Sequence, residues 1–216
     1  MYLNCHSYYS LRYGTMAPET LVEKAAGLGI EVMVLSDINN STGMVDFVKA
    51  CRSQGIHPVA GMEYRQGDRY LYTGIARNPQ GFRAMNEFLS YHNETGLPLP
   101  QRAPPLEHVY FVYDFLDNPW QGKGRKGSLR MREQERIGVR PGQVNSILTS
   151  PWNNRLEHLL VRQPVSFPDA GGHKLHRHLR AIDHNILLSQ LKPSQMADPN
   201  EVLLSPDLLR CAYEGH

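Results

Sequence analysis

The chain has 216 residues and a formal net charge of +2 at pH 7, which suits one buried core and lacks the basic excess of a dedicated nucleic-acid binder. Its three cysteines, Cys5, Cys51 and Cys211, are widely spaced and form no C-x-x-C pair, so neither a disulfide framework nor a zinc ribbon is indicated. A reducing, cytoplasmic compartment is expected. No apolar run approaches the roughly 18 residues of a membrane span. We expect one domain over residues 1–216, without a membrane partner and with a long Pro/Gly-rich and basic connection over 96–151.

Short apolar strands alternate with amphipathic helices in the first half of the chain. Pro18 suits the first turn of a helix, and Gly29 and Gly55 stand where two helices should stop. This alternation predicts an α/β fold with a parallel sheet and right-handed crossovers. After a strand at the N-terminus, the predicted segments are helix 18–28, strand 31–36, helix 43–54, strand 57–60, strand 69–75 and helix 79–92.

The second half is less regular, and its basic stretch has two interpretations. Residues 121–140 are glycine-rich and cationic, so they form either a solvated surface loop or a flexible contact to DNA phosphates or to a partner. The candidate phosphate contacts are Lys123, Arg125, Lys126 and Arg130. The predicted segments here are an extended stretch 96–105, strand 108–113, helix 141–148, strand 156–164 and helices 172–189 and 206–213.

Four histidines in the predicted helix 172–189 raise the question of a metal site. His173 and His176 are three residues apart and can share a helix face, as imidazole ligands do. No carboxylate or cysteine stands at a confirming offset, and arginines are interleaved. We therefore expect surface or helix-terminal histidines at the four positions His173, His176, His178 and His184.

Metal-capable or acidic side chains follow three predicted strands, where parallel α/β folds build their sites. Residues 4–15 follow the first strand and carry Asn4 and His6, which alternate along an extended segment and so share a face. Asp37 ends the second strand within residues 35–40, and Glu63 ends the third within residues 55–63.

These three segments resemble the PHP (polymerase and histidinol phosphatase) domain, and more narrowly the one that opens the alpha subunit of bacterial DNA polymerase III. Their order and spacing match the family patterns H-x-H-[ST]-x-[YF]-S-x-x-[DY]-G, [TS]-D-H-x-N and I-x-P-[IV]-x-G-x-E. The resemblance spans residues 1–95 and continues from about residue 137 to the end. It implies a distorted (β/α)7 barrel with a cleft for divalent ions, whose bound water would attack a phosphodiester.

Only part of the ligand set implied by the resemblance is present. His6, Glu63 and His92 match family ligands and form a residual set. Asn4 and Ile38 stand where the family has histidines, and the final family motif, near residues 163–167, lacks its Asp and His. Isoleucine cannot coordinate a metal, and an amide oxygen does not replace imidazole for zinc. The cleft positions that we regard as vestigial are Asn4, Tyr13 in place of an aspartate, Asp37 and Ile38.

The resemblance therefore implies a PHP domain with a degraded metal site and a structural or docking role in DNA replication. Because that site is degraded, we expect no cofactor and no catalytic residue. Its implied partners are the rest of a polymerase alpha chain, a proofreading exonuclease subunit and, through the parent protein, DNA. Because residues 201–206 resemble the family's connection into the polymerase, and no P-D-x-D-x-D-F segment follows, we expect a fragment of a longer chain.

Two alternatives remain open. One is a working zinc- or manganese-dependent phosphoesterase or 3'-5' exonuclease with rearranged ligands. The other is a free-standing interaction module. For His6 and Glu63 the structural alternative is hydrogen bonding within a packed cleft.

Overall fold

The predicted strand–helix alternation builds the first part of a sheet in the computed structural model, which describes residues 2–120 and 130–214. The first three strands pair in parallel, and two helices pack side by side over them. Their apolar faces bury Leu21, Val22, Phe47 and Cys51. The elements are β1 (Tyr2–Cys5), α1 (Pro18–Gly27), β2 (Val32–Leu35), α2 (Met44–Gln54) and β3 (His57–Gln66).

The sheet then changes direction, because β3 runs on past the predicted end of its strand into a hairpin. Gly67, in the left-handed region with φ of +59°, makes the turn into β4 (Arg69–Ala76), which pairs antiparallel with β3. α3 (Pro79–Thr95) packs on this hairpin, and β5 (Val109–Asp114) pairs antiparallel with β4. The sheet is therefore mixed rather than wholly parallel.

The two ends of the sheet are joined by one short segment. β7 (Leu159–Val161) pairs with β6 (Glu135–Val139), whereas β8 (Pro164–Val165) pairs with β1, and only Arg162 and Gln163 separate β7 from β8. Among the described residues the strand order is β7-β6-β5-β4-β3-β2-β1-β8. The sheet therefore curls into a distorted barrel in which β7 and β8 share one strand position, leaving seven positions in all. The α/β barrel predicted from the sequence is confirmed.

Strand β6 corrects the interpretation of residues 121–140 as one loop. Ile137 and Val139 of β6 are buried between β5 and β7, so the end of the basic stretch belongs to the sheet. The many arginines obscured a strand of only five residues. Lys123, Arg125 and Lys126 lie outside the described residues, and Arg130 is exposed.

The other differences fall at turns. The strand predicted over 156–164 is split, because Arg162 directs its side chain into the barrel. The helix predicted over 141–148 is a 3-10 turn, Pro141–Gln143, followed by the short α4 (Val144–Ile147). α5 (Ala170–His184) stops before the predicted residue 189, because Asn185 adopts a left-handed conformation. α6 (Pro206–Glu214) ends the described chain, in which no helix is long and apolar enough to span a membrane.

Candidate functional site

Asn4 and His6 lie at the end of β1, buried at the mouth of the barrel. Asn4 donates through Nδ2 to Glu63 Oε2 at 2.7 Å and to Ser36 Oγ at 3.0 Å. The His6 ring has Nε2 at 3.1 Å from Glu63 Oε2 and Nδ1 at 3.0 Å from Ser166 Oγ. As the alternation along β1 predicted, both side chains are on one face, and both of the His6 ring nitrogens have protein partners.

Glu63 is fully buried within β3, just past the part of that strand that pairs with β2, and is the centre of this cluster. Arg65 donates to Oε1, and Asn4 and His6 meet Oε2. Burial alone would raise the pKa of the Glu63 carboxyl, but the nearby Arg65, His6 and Arg162 outweigh it and hold that pKa well below its ordinary value. Glu63 is therefore an ionised carboxylate surrounded by cationic and donor groups.

Arg162, between β7 and β8, is only 2% exposed and fills the middle of the barrel mouth. Its Nε and Nη2 both donate to Asn4 Oδ1, at 3.1 and 2.9 Å, and its Nη1 donates to Asp114 Oδ2 at 2.9 Å. The guanidinium carbon lies 4.0 Å from the centre of the Tyr70 ring, and Nη2 lies 3.9 Å from Glu63 Oε2. Although burial opposes its charge, these neighbours raise the pKa of Arg162 above its ordinary value.

Tyr13 connects the first loop, residues 6–17 between β1 and α1, to the same cluster. Its ring packs under the Arg65 guanidinium at 4.2 Å, and its hydroxyl accepts from Arg65 Nη2 at 3.1 Å. Burial raises the pKa of the Tyr13 hydroxyl to about 12, so the hydroxyl is neutral at physiological pH. The next residue is Gly14, and the Cβ of any other residue at that position would collide with the Ser7 carbonyl oxygen.

Asp37 has a structural position in this arrangement. Its Oδ1 accepts from the Ser7 backbone N–H and the Ser10 hydroxyl, both at 2.7 Å, and its Oδ2 accepts from the Ser7 hydroxyl at 2.8 Å. These bonds fix the first loop against the end of β2. The neighbouring Ile38 is half-buried and packs with Tyr13 and Phe167.

His92 has none of these partners. It stands near the end of α3, where Nδ1 contacts the Leu97 carbonyl oxygen at 3.0 Å and the ring packs on Phe88. In the part of the chain that the structure describes, no three His, Cys, Asp or Glu residues are grouped so that they could hold a metal ion. The structure thus brings His6 and Glu63 together, and the three-residue ligand set with His92 remains a prediction.

The histidines of α5 differ from one another. His176, which we expected at the surface or a helix end, is fully buried, with Nδ1 at 2.7 Å from the Tyr13 carbonyl oxygen and Nε2 accepting from the Ala197 N–H at 2.8 Å. The expectation was wrong for His176 because the first loop and residues 193–199 cover that face of α5. Burial lowers the pKa of His176 to about 4.

Sequence reasoning missed Arg65, Arg162, Ser166 and Glu201 in this region. Glu201 is buried, accepting from Ser166 Oγ at 2.7 Å and from Arg140 Nη1 at 3.0 Å. Arg65 could have been found, because it stands two residues after Glu63 on a strand and so shares its face. Arg162 could not have been found in this way, because β7 and β8 on either side of it are too short to show a periodic pattern.

The amino-acid sequence of the chain is similar to those of known proteins. A family model described as "PHP domain" matches residues 3–128. The DNA polymerase III subunit alpha of Buchnera aphidicola subsp. Acyrthosiphon pisum (strain APS) is 36% identical over 176 residues, which cover 79% of this chain and 14% of that protein. The subunit of the same name from Neisseria meningitidis serogroup B (strain ATCC BAA-335 / MC58) is 32% identical over 94 residues, which cover 41% of this chain and 8% of that protein.

Structural similarity is weaker. A putative metal-dependent phosphoesterase from Bifidobacterium adolescentis matches with a TM-score of 0.36 and 14% identity, over 96% of this chain and 93% of that one. The chain spans only 8% to 14% of the length of the two polymerase subunits. Because the family model covers more than half of its residues, however, the chain belongs to the PHP domain family.

Proposed function

We propose that this chain is the PHP domain of a bacterial replicative DNA polymerase III alpha subunit, and that its metal site is degraded. Its role is structural, or it docks a partner, in DNA replication. The polymerase relatives support the assignment to such a chain. The ion-pair cluster around Glu63 supports the loss of the metal.

The observation that carries the proposal is that two guanidinium groups supply the positive charge beside Glu63. Arg65 binds one carboxylate oxygen, and Arg162 lies 3.9 Å from the other. A divalent cation would have to approach two fixed positive charges in a desolvated site, which is strongly unfavourable. It would also have to displace Ser166 or Glu63 from the ring nitrogens of His6.

The partners follow from the same assignment. They are the rest of the alpha chain, a proofreading exonuclease subunit and, through the parent protein, DNA. The domain needs no cofactor in this role. We expect the chain to co-elute with a bacterial proofreading exonuclease subunit in analytical size-exclusion chromatography if docking is its role, whereas separate elution would leave packing within the polymerase as its role.

The second candidate function is a zinc- or manganese-dependent phosphoesterase or 3'-5' exonuclease. The observation that favours it is the contact of His6 Nε2 with Glu63 at 3.1 Å, since both match family ligands. This function requires Arg65 and Arg162 to move away from the carboxylate, and those residues themselves would take no part in coordination.

Metal analysis combined with a nuclease assay separates the two. We would measure zinc and manganese in the purified chain by mass spectrometry, and then hydrolysis of single-stranded DNA with each ion added. The proposal predicts well below one metal per chain and no hydrolysis above that of Glu63→Gln, which keeps the shape of the side chain without its charge. One equivalent of metal with hydrolysis that Glu63→Gln abolishes would establish the phosphoesterase instead.

A further inference from the structure

Helix α5 turns its polar side towards the barrel and its apolar side towards solvent. His176 and Arg180 are buried, and they are bonded to the first loop and to the turn between β3 and β4. On the opposite side of the helix, Leu175 is 50% exposed and Ile182 is 66% exposed. A surface helix ordinarily has the reverse arrangement, with its apolar stripe on the core. The buried polar contacts therefore fix α5 in an orientation that leaves its apolar side facing outwards.

The outer side of α5 carries a narrow apolar stripe. Leu175, Leu179 and Ile182 stand at the i, i+4 and i+7 positions of the helix, so they fall within an arc of about 60°. Leu179 is half-buried, yet it belongs to none of the apolar clusters formed by the described residues. Leu187, just past the end of the helix, is 68% exposed. The stripe has the spacing and the width of a surface that packs against one other helix.

Two charged residues on α5 are placed against the dipole of their own helix. Lys174 lies near the N-terminal end, and Asp183 lies in the last turn. A helix favours anions at its N-terminal end and cations at its C-terminal end. Both charges are favourable towards an antiparallel neighbour, because each end of α5 then lies beside the opposite end of that helix. Asp183 also pairs with Arg12 at 2.9 Å, so it adds no uncompensated negative charge.

We propose that the outer side of α5 pairs with the same side of a second copy of this chain, as two antiparallel helices related by a two-fold axis. Leu175 of each copy lies opposite Ile182 of the other, and Leu179 lies at the axis. The stripe is thus complementary to itself, as a two-fold contact requires. One pair of helices buries less than the roughly 800 Å² per partner of a standard interface, so the association is weak and depends on concentration. It uses no residue of the Glu63 cluster and stands independently of the proposed function.

Analytical ultracentrifugation of the full chain, from about 5 to about 300 μM, tests this pairing. We expect a monomer–dimer equilibrium with a Kd of about 10–100 μM. Ile182→Glu puts a charge into the stripe and should weaken the dimer about tenfold or more. Leu208→Glu is the matched control and should leave the dimer unchanged, because Leu208 is a similarly exposed residue, 61%, on α6. Thermal unfolding checks that each variant folds, and Leu175→Glu repeats the test if Ile182→Glu does not.

Disulfide cross-linking tests the antiparallel arrangement. In a Cys211→Ser background, which removes the exposed cysteine, a mixture of Leu175→Cys and Ile182→Cys should form the mixed dimer faster than either variant links to itself. Faster linking of one variant to itself would overturn that arrangement. A chain that stays monomeric up to the highest concentration would overturn the proposal and leave the stripe to a different protein. A dimer that Ile182→Glu leaves intact, or that Leu208→Glu abolishes, would place the contact elsewhere and also overturn it.

Discussion

Two buried glutamates in this chain are held in the same way but in different places. Glu63 within β3 has Arg65 and Arg162, and Glu135 at the start of β6 has Arg102 and Arg132. Both carboxylates are fully buried. Arg102 forms a two-point pair with Glu135, through Nε at 2.8 Å and Nη2 at 2.6 Å, and the Arg132 backbone N–H donates at 2.7 Å.

The difference between them lies in their surroundings. Around Glu135 the arginines reach towards solvent, and the further side-chain contact is the Tyr113 hydroxyl at 3.4 Å. Around Glu63 the arginines are more deeply buried and the further contacts are Asn4 and His6. A buried glutamate with two arginines is thus an ordinary structural device in this chain, which favours a structural interpretation of the cluster at the family's metal position.

The largest effect should come from Arg162→Met. This variant leaves Asp114 Oδ2 and Asn4 Oδ1 without the guanidinium that donates to them, and it removes a cation beside Glu63. We therefore expect the free energy of unfolding to fall by about 3–5 kcal/mol. Urea denaturation measures the change. The control is Arg69→Met, whose exposed pair with Asp117 should matter by no more than about 1 kcal/mol. Equal losses in the two variants would contradict a buried, structural role for Arg162.

His176 should make the region around Tyr13 sensitive to acid. Burial lowers its pKa from 6.5 to about 4, so the unfolded chain binds a proton first as the pH falls. Stability contributed by neutral His176 is therefore complete above pH 6.5 and declines towards pH 4, by about 2 kcal/mol at pH 5.

Comparison of pH profiles checks this prediction. His176→Gln, which cannot titrate, should remove that part of the slope when denaturation is measured from pH 7.5 to pH 4.5. His178→Gln is the control, because His178 is exposed and contacts the Lys174 carbonyl oxygen of its own helix. A slope that persists in His176→Gln would assign the acid sensitivity to the carboxylates instead.

Arg102→Met should have a smaller effect than Arg162→Met. Arg102 is partly exposed, and Arg132 remains to bind Glu135, so we expect a loss of about 1–2 kcal/mol in urea denaturation. A loss of unfolding free energy as large as that of Arg162→Met would contradict the distinction between the surroundings of Glu63 and those of Glu135.

Removal of divalent ions should have the smallest effect. If both glutamates are neutralised by arginines alone, the thermal midpoint should be the same before and after dialysis against EDTA. Added zinc or manganese should not raise it, because a ligand stabilises only the state that binds it. A midpoint that rises with zinc in the original chain but not in Glu63→Gln would indicate a working metal site.

The sequence predicted the first half of the fold well, because its patterns are local. Helices α1 and α2 have clear apolar faces, and the glycines at 29 and 55 stop them close to where the structure does. The positions of Asn4 and His6 at the end of β1 followed from the same patterns, whereas Glu63, expected at the end of its strand, lies within β3 because that strand continues into the hairpin. Their proximity was expected, since parallel strands bring their carboxyl ends together.

The partners of Glu63 could not be predicted in the same way. Arg162 is distant from Glu63 in the sequence and approaches it only when the barrel curls, so no periodic pattern reports it. His176 and Arg180 line the buried side of α5, where an apolar stripe would be the usual indication. Strand β6 was obscured because Ile137 and Val139 are its large apolar residues and arginines flank them.

The position of Arg162 between β7 and β8 has an evolutionary consequence. The same side chain lies at the junction of the barrel and beside the carboxylate that a metal would need. Placing a histidine at Asn4 or Ile38 alone would leave that guanidinium in place, and replacing Arg162 first would weaken the barrel. If the metal site has been lost, as we propose, a return to metal chemistry requires several simultaneous changes and is difficult to reach by single mutations.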